Sequence, residues 1–252
     1  RERAAALVEA ARATTLDCDQ PDACARPSPL HALAARAFVE ATPEAPRHYA
    51  LILDRGPDAL LARVDLLRSA TTSVDLQTYI FDEDDAGRLV MHELVAAARR
   101  GVHVRVLIDQ LSALKRIDTL AALAGAHANL EVRIYNPVFD RAKINYPQYL
   151  FAAACCWRQL NQRMHTKLLL IDGAVGISGG RNYQDDYYDW DDEYNFRDRD
   201  VLVAGPVARR MGADFASFWD DKRSVPAALL GDVARRLLKV GVPTLPPPQY
   251  VL

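Results

Sequence analysis

Long apolar runs are missing from this chain of 252 residues. The longest, Tyr149–Trp157 (YLFAAACCW), falls well short of the roughly 20 residues that a membrane span needs. It reads as a buried helix or strand, with contact to a lipid interface as the alternative. An excess of charge is missing too: 31 Lys and Arg stand against 33 Asp and Glu, a net charge of −2. No global field therefore draws in nucleic acid, and a dedicated nucleic-acid binder is disfavoured, while enzymes with local basic sites stay open. Cysteine is scarce, with four residues in two pairs. Cys18 and Cys24 lie in a polar, proline-bearing stretch (LDCDQPDACARPSP), at a spacing that could close a small disulfide loop and would then imply an oxidising compartment. Cys155 and Cys156 are adjacent in apolar surroundings and read as free core residues. No His and Cys cluster suggests a metal. The acidic stretch 185–200 lacks the glycine and ligand spacing of a calcium loop, and reads as a solvated loop beside a site. No signal-peptide pattern opens at Arg1, which is compatible with a chain that starts after a removed leader.

What is present is an alternation of strands and helices. Residues 50–53, 73–81, 102–108 and 130–135 carry strand patterns, separated by amphipathic stretches at 57–69 and 85–100 and a shorter one near 120–126. Further strand patterns follow at 167–172, 174–178 and 199–204, then helical ones at 206–220 and 227–240. Such alternation predicts an α/β fold with a mixed, mostly parallel sheet flanked by helices on both faces. Three segments are expected: an N-terminal helical and cysteine-loop piece over 1–45, a main unit over 46–240, and a proline-rich linker or tail over 241–252.

The densest chemistry sits in MHTKLLLIDGAVGISGGRN, residues 164–182. Side chains two apart on a strand share a face, so His165 and Lys167 should point the same way. An imidazole beside an ammonium suits an anionic phosphorus centre, since one can attack while the other holds the oxygens. The competing reading, that His165 and Lys167 merely open a core strand, explains the pair but not the whole string. The string fills H-x-K-x4-D-x6-G-G/S-x-N at every position, with Asp172, Gly179, Gly180 and Asn182 completing it.

That pattern resembles the signature of the phospholipase D superfamily. The resemblance extends over about residues 48–230, and SVDLQTYIFDEDDAGRLVMHELVAAARRGVHVRVLID and FRDRDVLVAGPVARRMGADFASFWD look like the segments flanking the first motif of bacterial cardiolipin synthases. It implies a phosphodiesterase or phosphatidyltransferase working through a phosphohistidine, with His165 attacking, Lys167 gripping the phosphoryl oxygens and Asp172 orienting a histidine or lysine. Asn182 would donate to the phosphate while the Gly179-Gly180 backbone approaches it. Gln77 and Tyr79 are further pocket candidates, for which a buried structural role is the rival reading. No cofactor and no divalent metal are required by this chemistry. The expected substrate is a phospholipid at a membrane surface, at the periphery of the bacterial inner membrane or in the periplasm. Enzymes of this type carry two motifs and this chain carries one; His103, Arg105 and Asp109 imitate it with the wrong spacing. A second half is therefore expected from a C-terminal domain, a separate chain or a homodimer mate. A homodimeric nuclease and a non-catalytic half are the alternatives.

Overall fold

The computed structural model describes residues 1–20, 24–112 and 114–250. Its elements are α1 (Glu2–Ala11), α2 (Pro29–Glu40), β1 (Tyr49–Leu53), α3 (Gly56–Ser69), β2 (Ser73–Thr78), α4 (Asp85–Arg99), β3 (His103–Asp109), α5 (Ile117–Ala124) and β4 (Leu130–Tyr135). After these come α6 (Tyr146–Cys155), α7 (Trp157–Asn161), β5 (Leu168–Ile171), β6 (Val175–Gly179), β7 (Asp200–Ala204), α8 (Val207–Trp219), β8 (Ser224–Pro226) and α9 (Gly231–Val240).

The strands form one sheet in the order β1-β7-β6-β5-β2-β3-β4-β8. It is mixed, but the expectation of a mostly parallel sheet is corrected. Among the described residues only β2–β3 and β3–β4 pair in parallel; the β1–β7, β7–β6, β6–β5, β5–β2 and β4–β8 pairs are antiparallel. The helical crossovers α4 and α5 force parallel neighbours. The β5–β6 connection instead is a tight turn at Asp172-Gly173, with φ of +52° and +62°, the backbone that a primed hairpin turn needs. β1 and β2 run the same way, yet β7, β6 and β5 are inserted between them, and local pattern cannot report an insertion from later in the chain. β8 carries Pro226 and sits at the sheet edge, where a proline costs no ladder hydrogen bond.

Helices cover both faces, as expected. Val74, Leu76, Val104, Val106, Leu169 and Ile171 face the α3–α4–α5 side, in one core with Leu60, Leu94 and Leu120. Leu107, Leu168 and Leu170 face α8 and meet Phe215 and Trp219. β5 is thus buried on both sides, which is why its sequence is an unbroken apolar run. Ala4 and Val8 of α1 and Ala34 of α2 enter the main core. Leu245 of the proline-rich end packs on that core, and His92 Nε2 lies 2.6 Å from the Pro246 carbonyl oxygen.

Two further expectations change. The apolar run 149–157 is helical but lies at the surface: within α6 only Ala152 is buried. Cys155 and Cys156 are not core thiols, because they sit at the outward α6–α7 junction and are joined to each other. Cys18 and Cys24 are likewise joined.

Candidate active site

β2, β3 and β5 bring the candidate residues to one end of the sheet. The chain enters β5 through His165, Thr166 and Lys167, and β2 leaves the sheet at the same end with Tyr79. Lys167 Nζ lies 3.1 Å from His165 Nδ1, 3.2 Å from Nε2 and 2.9 Å from the His165 carbonyl oxygen. Tyr79 stands against both: its ring centroid is 4.9 Å from that of His165 and 5.8 Å from Lys167 Nζ. His165 is exposed while Lys167 is buried. An accessible imidazole is thus backed by a fixed cation and an aromatic wall.

The electrostatics follow from that packing. Burial lowers the His165 pKa, the Lys167 charge lowers it further, and Asp109 pulls weakly the other way. The imidazole is accordingly neutral at pH 7 and has a lone pair to offer. Burial also lowers the Lys167 pKa, opposed by Asp198.

Asp172 does something other than orient His165 or Lys167. It sits at the opposite end of β5, in the turn to β6. Its carboxylate accepts from the backbone N–H groups of Thr71, Thr72 and Ser73 and from both threonine hydroxyls, at 2.8–3.2 Å. Burial would raise its pKa, but these hydrogen bonds outweigh it and hold the carboxyl below the usual range. The residue ties the β5–β6 turn to the start of β2, and through β2 it fixes the strand that carries Tyr79.

The glycines and Asn182 also have contacts within the chain. A Cβ on Gly179 would lie 2.2 Å from Asp200 Oδ1 and 2.4 Å from the Arg199 carbonyl oxygen; one on Gly180 would lie 2.0 Å from Asp198 Oδ1. Both glycines therefore admit the close approach of residues 198–200. Asn182 is buried, and its Oδ1 accepts from the Ile80 backbone N–H at 3.0 Å, beside Tyr79. Arg181 between them is buried with Arg63 around the fully buried Asp200, which accepts from Arg63 at 3.0 Å and from Arg181 at 3.2 Å. Gln77, two residues before Tyr79, is 1 % exposed, and its Nε2 has no hydrogen-bond partner among the described residues.

Two residues outside the sequence-based site candidates belong to this neighbourhood, one of them Asp109, which the sequence offers only in a mis-spaced imitation of the motif. Asp198 acts on Lys167 and closes over Gly180. Its position in an acidic stretch was visible, but nothing local separates it from its acidic neighbours. Asp109, at the end of β3, accepts from the Met164 N–H at 2.9 Å and from Arg163 at 3.2 Å, and so sets the backbone immediately before His165. By contrast His103 is exposed at the far end of β3, and Arg105 is paired with Asp75 at 2.7 Å, as ordinary strand residues. A cavity of 640 Å³ bordered by Asp54, Phe196, Arg197 and Asp198 opens next to the site, with His165 outside its lining. Among the described residues no group of three or more His, Cys, Asp or Glu side chains could hold a metal ion.

This sheet, with a histidine and a lysine converging at one end of it, is the phospholipase D type of fold. Residues 64–219 match the family model described as cardiolipin synthase, PLD-like domain. The chain is 37 % identical to cardiolipin synthase C of Escherichia coli (strain K12) over 181 residues, 72 % of this chain and 37 % of that one. It is 31 % identical to a cardiolipin synthase of Geobacillus thermodenitrificans over 67 % of this chain and 31 % of that one. The fold is similar to that of phosphatidylserine synthase from Haemophilus influenzae Rd KW20, with a TM-score of 0.56 and 15 % identity over 76 % of this chain and 44 % of that one. The chain belongs to the cardiolipin synthase-like branch of the phospholipase D superfamily. It spans about a third of the length of the curated relatives it matches.

Proposed function

We propose that this chain is the first-motif half of a phosphatidyltransferase that acts on phospholipid through a phosphohistidine at His165, in the manner of a cardiolipin synthase. The observation that carries the reading is Lys167 Nζ held within 3.2 Å of both ring nitrogens of an exposed His165. A neutral imidazole nitrogen attacks the phosphorus, the bond to the leaving alcohol breaks, and a phosphatidyl group remains on the ring. Lys167 supports the charge that gathers on the non-bridging oxygens. The leaving alkoxide needs a proton, and a second alcohol must later be deprotonated to attack the phosphohistidine. One chain offers one suitable histidine, so the second acid–base group comes from a further segment, a partner chain or a second copy. With an alcohol such as the glycerol headgroup of phosphatidylglycerol as acceptor, the product is cardiolipin; with water it is phosphatidic acid.

Among the described residues no helix is long and apolar enough to cross a membrane, and we place the protein at a membrane periphery. Incubation with phosphatidylglycerol vesicles and, separately, with plasmid DNA tests the reading. Release of glycerol with formation of cardiolipin or phosphatidic acid is expected once the second acid–base group is present. Plasmid nicking without lipid turnover would overturn it.

A further inference from the structure

Helix α6 is apolar on its exposed side. Tyr146 is 73 % exposed, Leu150 51 % and Phe151 62 %, and Trp157, at the start of α7, is 59 % exposed. Phe139 stacks on Phe151 at 5.8 Å between ring centroids and widens the patch. Isolated apolar residues on a surface need no explanation, but a contiguous cluster of large ones does. Tyr and Trp on such a patch suit a boundary between lipid and water, where the ring is buried and the polar atom stays wet.

The segment that carries α6 and α7 is basic, although Asp140, beside Phe139, is exposed and paired with Arg1. From Arg141 to Ile171 the chain contains Arg141, Lys143, Arg158, Arg163 and Lys167 and no Asp or Glu. Lys143 also lines a basic groove with Arg235 and Lys239 of α9. Among the described residues none of these three has a carboxylate within ion-pair distance. Asp232 of α9 accepts from the Ala142 and Lys143 backbone N–H groups at 2.9 and 3.0 Å, so groove and helix are held as one surface. The acids of the groove are spent internally: Asp118 is paired with Arg236, and Asp232 is buried.

The patch also lies at the working end of the sheet. α7 leads into His165 across Gln162–Met164, and Asn136 at the end of β4 holds the Gln159 and Gln162 carbonyl oxygens at 2.8 and 2.7 Å. Depth of insertion of α6 and α7 is thereby tied to the height of His165 above the surface.

We propose that the outer faces of α6 and α7, with the Lys143–Arg235–Lys239 groove, dock this protein on an anionic phospholipid bilayer and set His165 at the level of the lipid headgroups. The apolar side chains enter the headgroup boundary while the basic groove faces anionic lipid. A second protein chain would need unpaired carboxylates opposite these cations, and a second copy of this chain, with this surface against itself, offers Asp118 and Asp140, each already paired with an arginine. The inference rests on the phospholipid reading above for its choice of surface, and its test is a binding measurement that does not depend on catalysis.

The test is co-sedimentation of the full chain with vesicles of phosphatidylglycerol and phosphatidylethanolamine, and with vesicles of phosphatidylcholine. Binding to the first and weak binding to the second are expected. The triple variant Leu150→Ser, Phe151→Ser, Trp157→Ser is expected to partition at least about tenfold less, and Arg235→Glu with Lys239→Glu to lose about fivefold per charge on the anionic vesicles alone. Because the altered side chains are exposed, thermal unfolding monitors that the fold is retained. Should the triple variant not fold, quenching by brominated phospholipid decides: it is expected in the native chain and lost in Trp157→Phe. Native chain that ignores anionic vesicles, or a folded triple variant that binds as well as native, overturns the proposal. So does a homodimer that the triple substitution dissociates while vesicle binding stays. Vesicle binding without any phosphatidylglycerol turnover, with the second acid–base group present, upholds the docking surface and contradicts the proposed function instead.

Discussion

Replacing Asp172 separates scaffolding from chemistry, and the structure fixes what each replacement should cost. The carboxylate is held by three backbone N–H groups and two hydroxyls at the start of β2. The Thr71 and Ser73 N–H groups are part-buried, whereas Thr72 is exposed and can turn to water. A hydrogen bond to a charged acceptor contributes about 1.5–3 kcal/mol, so losing the two shielded ones in Asp172→Ala costs about 3 kcal/mol. Asp172 also has φ +52°, and alanine there adds about 1 kcal/mol. Asp172→Asn keeps one acceptor and tolerates that backbone, but turns an amide NH₂ toward donors; about 2 kcal/mol is expected. Urea unfolding reads these losses. Because the Asp172 pKa is held below that of the unfolded chain, its contribution is present above about pH 4 and is lost as pH falls through the folded-state value. The gap between native and Asp172→Asn should therefore close in acid. In parallel, phosphatidyl transfer to His165 by folded Asp172→Asn should stay within about threefold of native, a barrier change of roughly half a kcal/mol. A variant of native stability with transfer reduced a thousandfold would refute the reasoning and return Asp172 to the reaction itself.

Other consequences concern the site and its supports. Lys167→Met removes one of the two influences that lower the His165 pKa; the imidazole titration followed by NMR should move up toward the ordinary value of about 6.5, while transfer falls at least about a hundredfold. A downward shift would mean that the ammonium does not face the ring. Gly179→Ala puts a Cβ 2.4 Å from the Arg199 carbonyl oxygen and 2.6 Å from Asp200 Cα, so β6 and β7 must part. A loss of about 2–4 kcal/mol in thermal or urea unfolding is expected, and an unchanged midpoint would contradict the packing. Asp84, which caps α4 and faces Asp185, has its pKa pushed up to about 7, first by burial and then by neighbouring carboxylates. With the folded value above the unfolded one, its contribution is complete below about pH 4 and is lost as pH rises through 7. Asp84→Asn, which still caps, should flatten that stretch of the stability–pH curve; an unaltered curve would rule Asp84 out as its source.

Much of the fold was legible because it rests on local pattern. The alternation over 73–135 appears as β2-α4-β3-α5-β4, and Asp172-Gly173 is the turn its residue types suggest. The sheet's sense was not legible, since β5, β6 and β7 enter between β1 and β2 from far along the chain. At the site, His165 and Lys167 meet because strand geometry puts alternate side chains on one face, an inference that needs no tertiary knowledge. Tyr79 meets them only because β2 and β5 are neighbours. Asp172 misled for the same reason. Its spacing from Lys167 suggests proximity, but four strand residues carry it to the other end of β5. The run 149–157 misled differently: its apolar content pointed inward, while the fold turns it out.

The proposed reaction requires a bond between phosphorus and an imidazole nitrogen of His165. Native chain mixed with phosphatidylglycerol, quenched and digested, should yield the peptide bearing His165 with a phosphatidyl group on an imidazole nitrogen, and His165→Asn should yield none. Phosphatidyl carried on another residue, or turnover undiminished in His165→Asn, would contradict it.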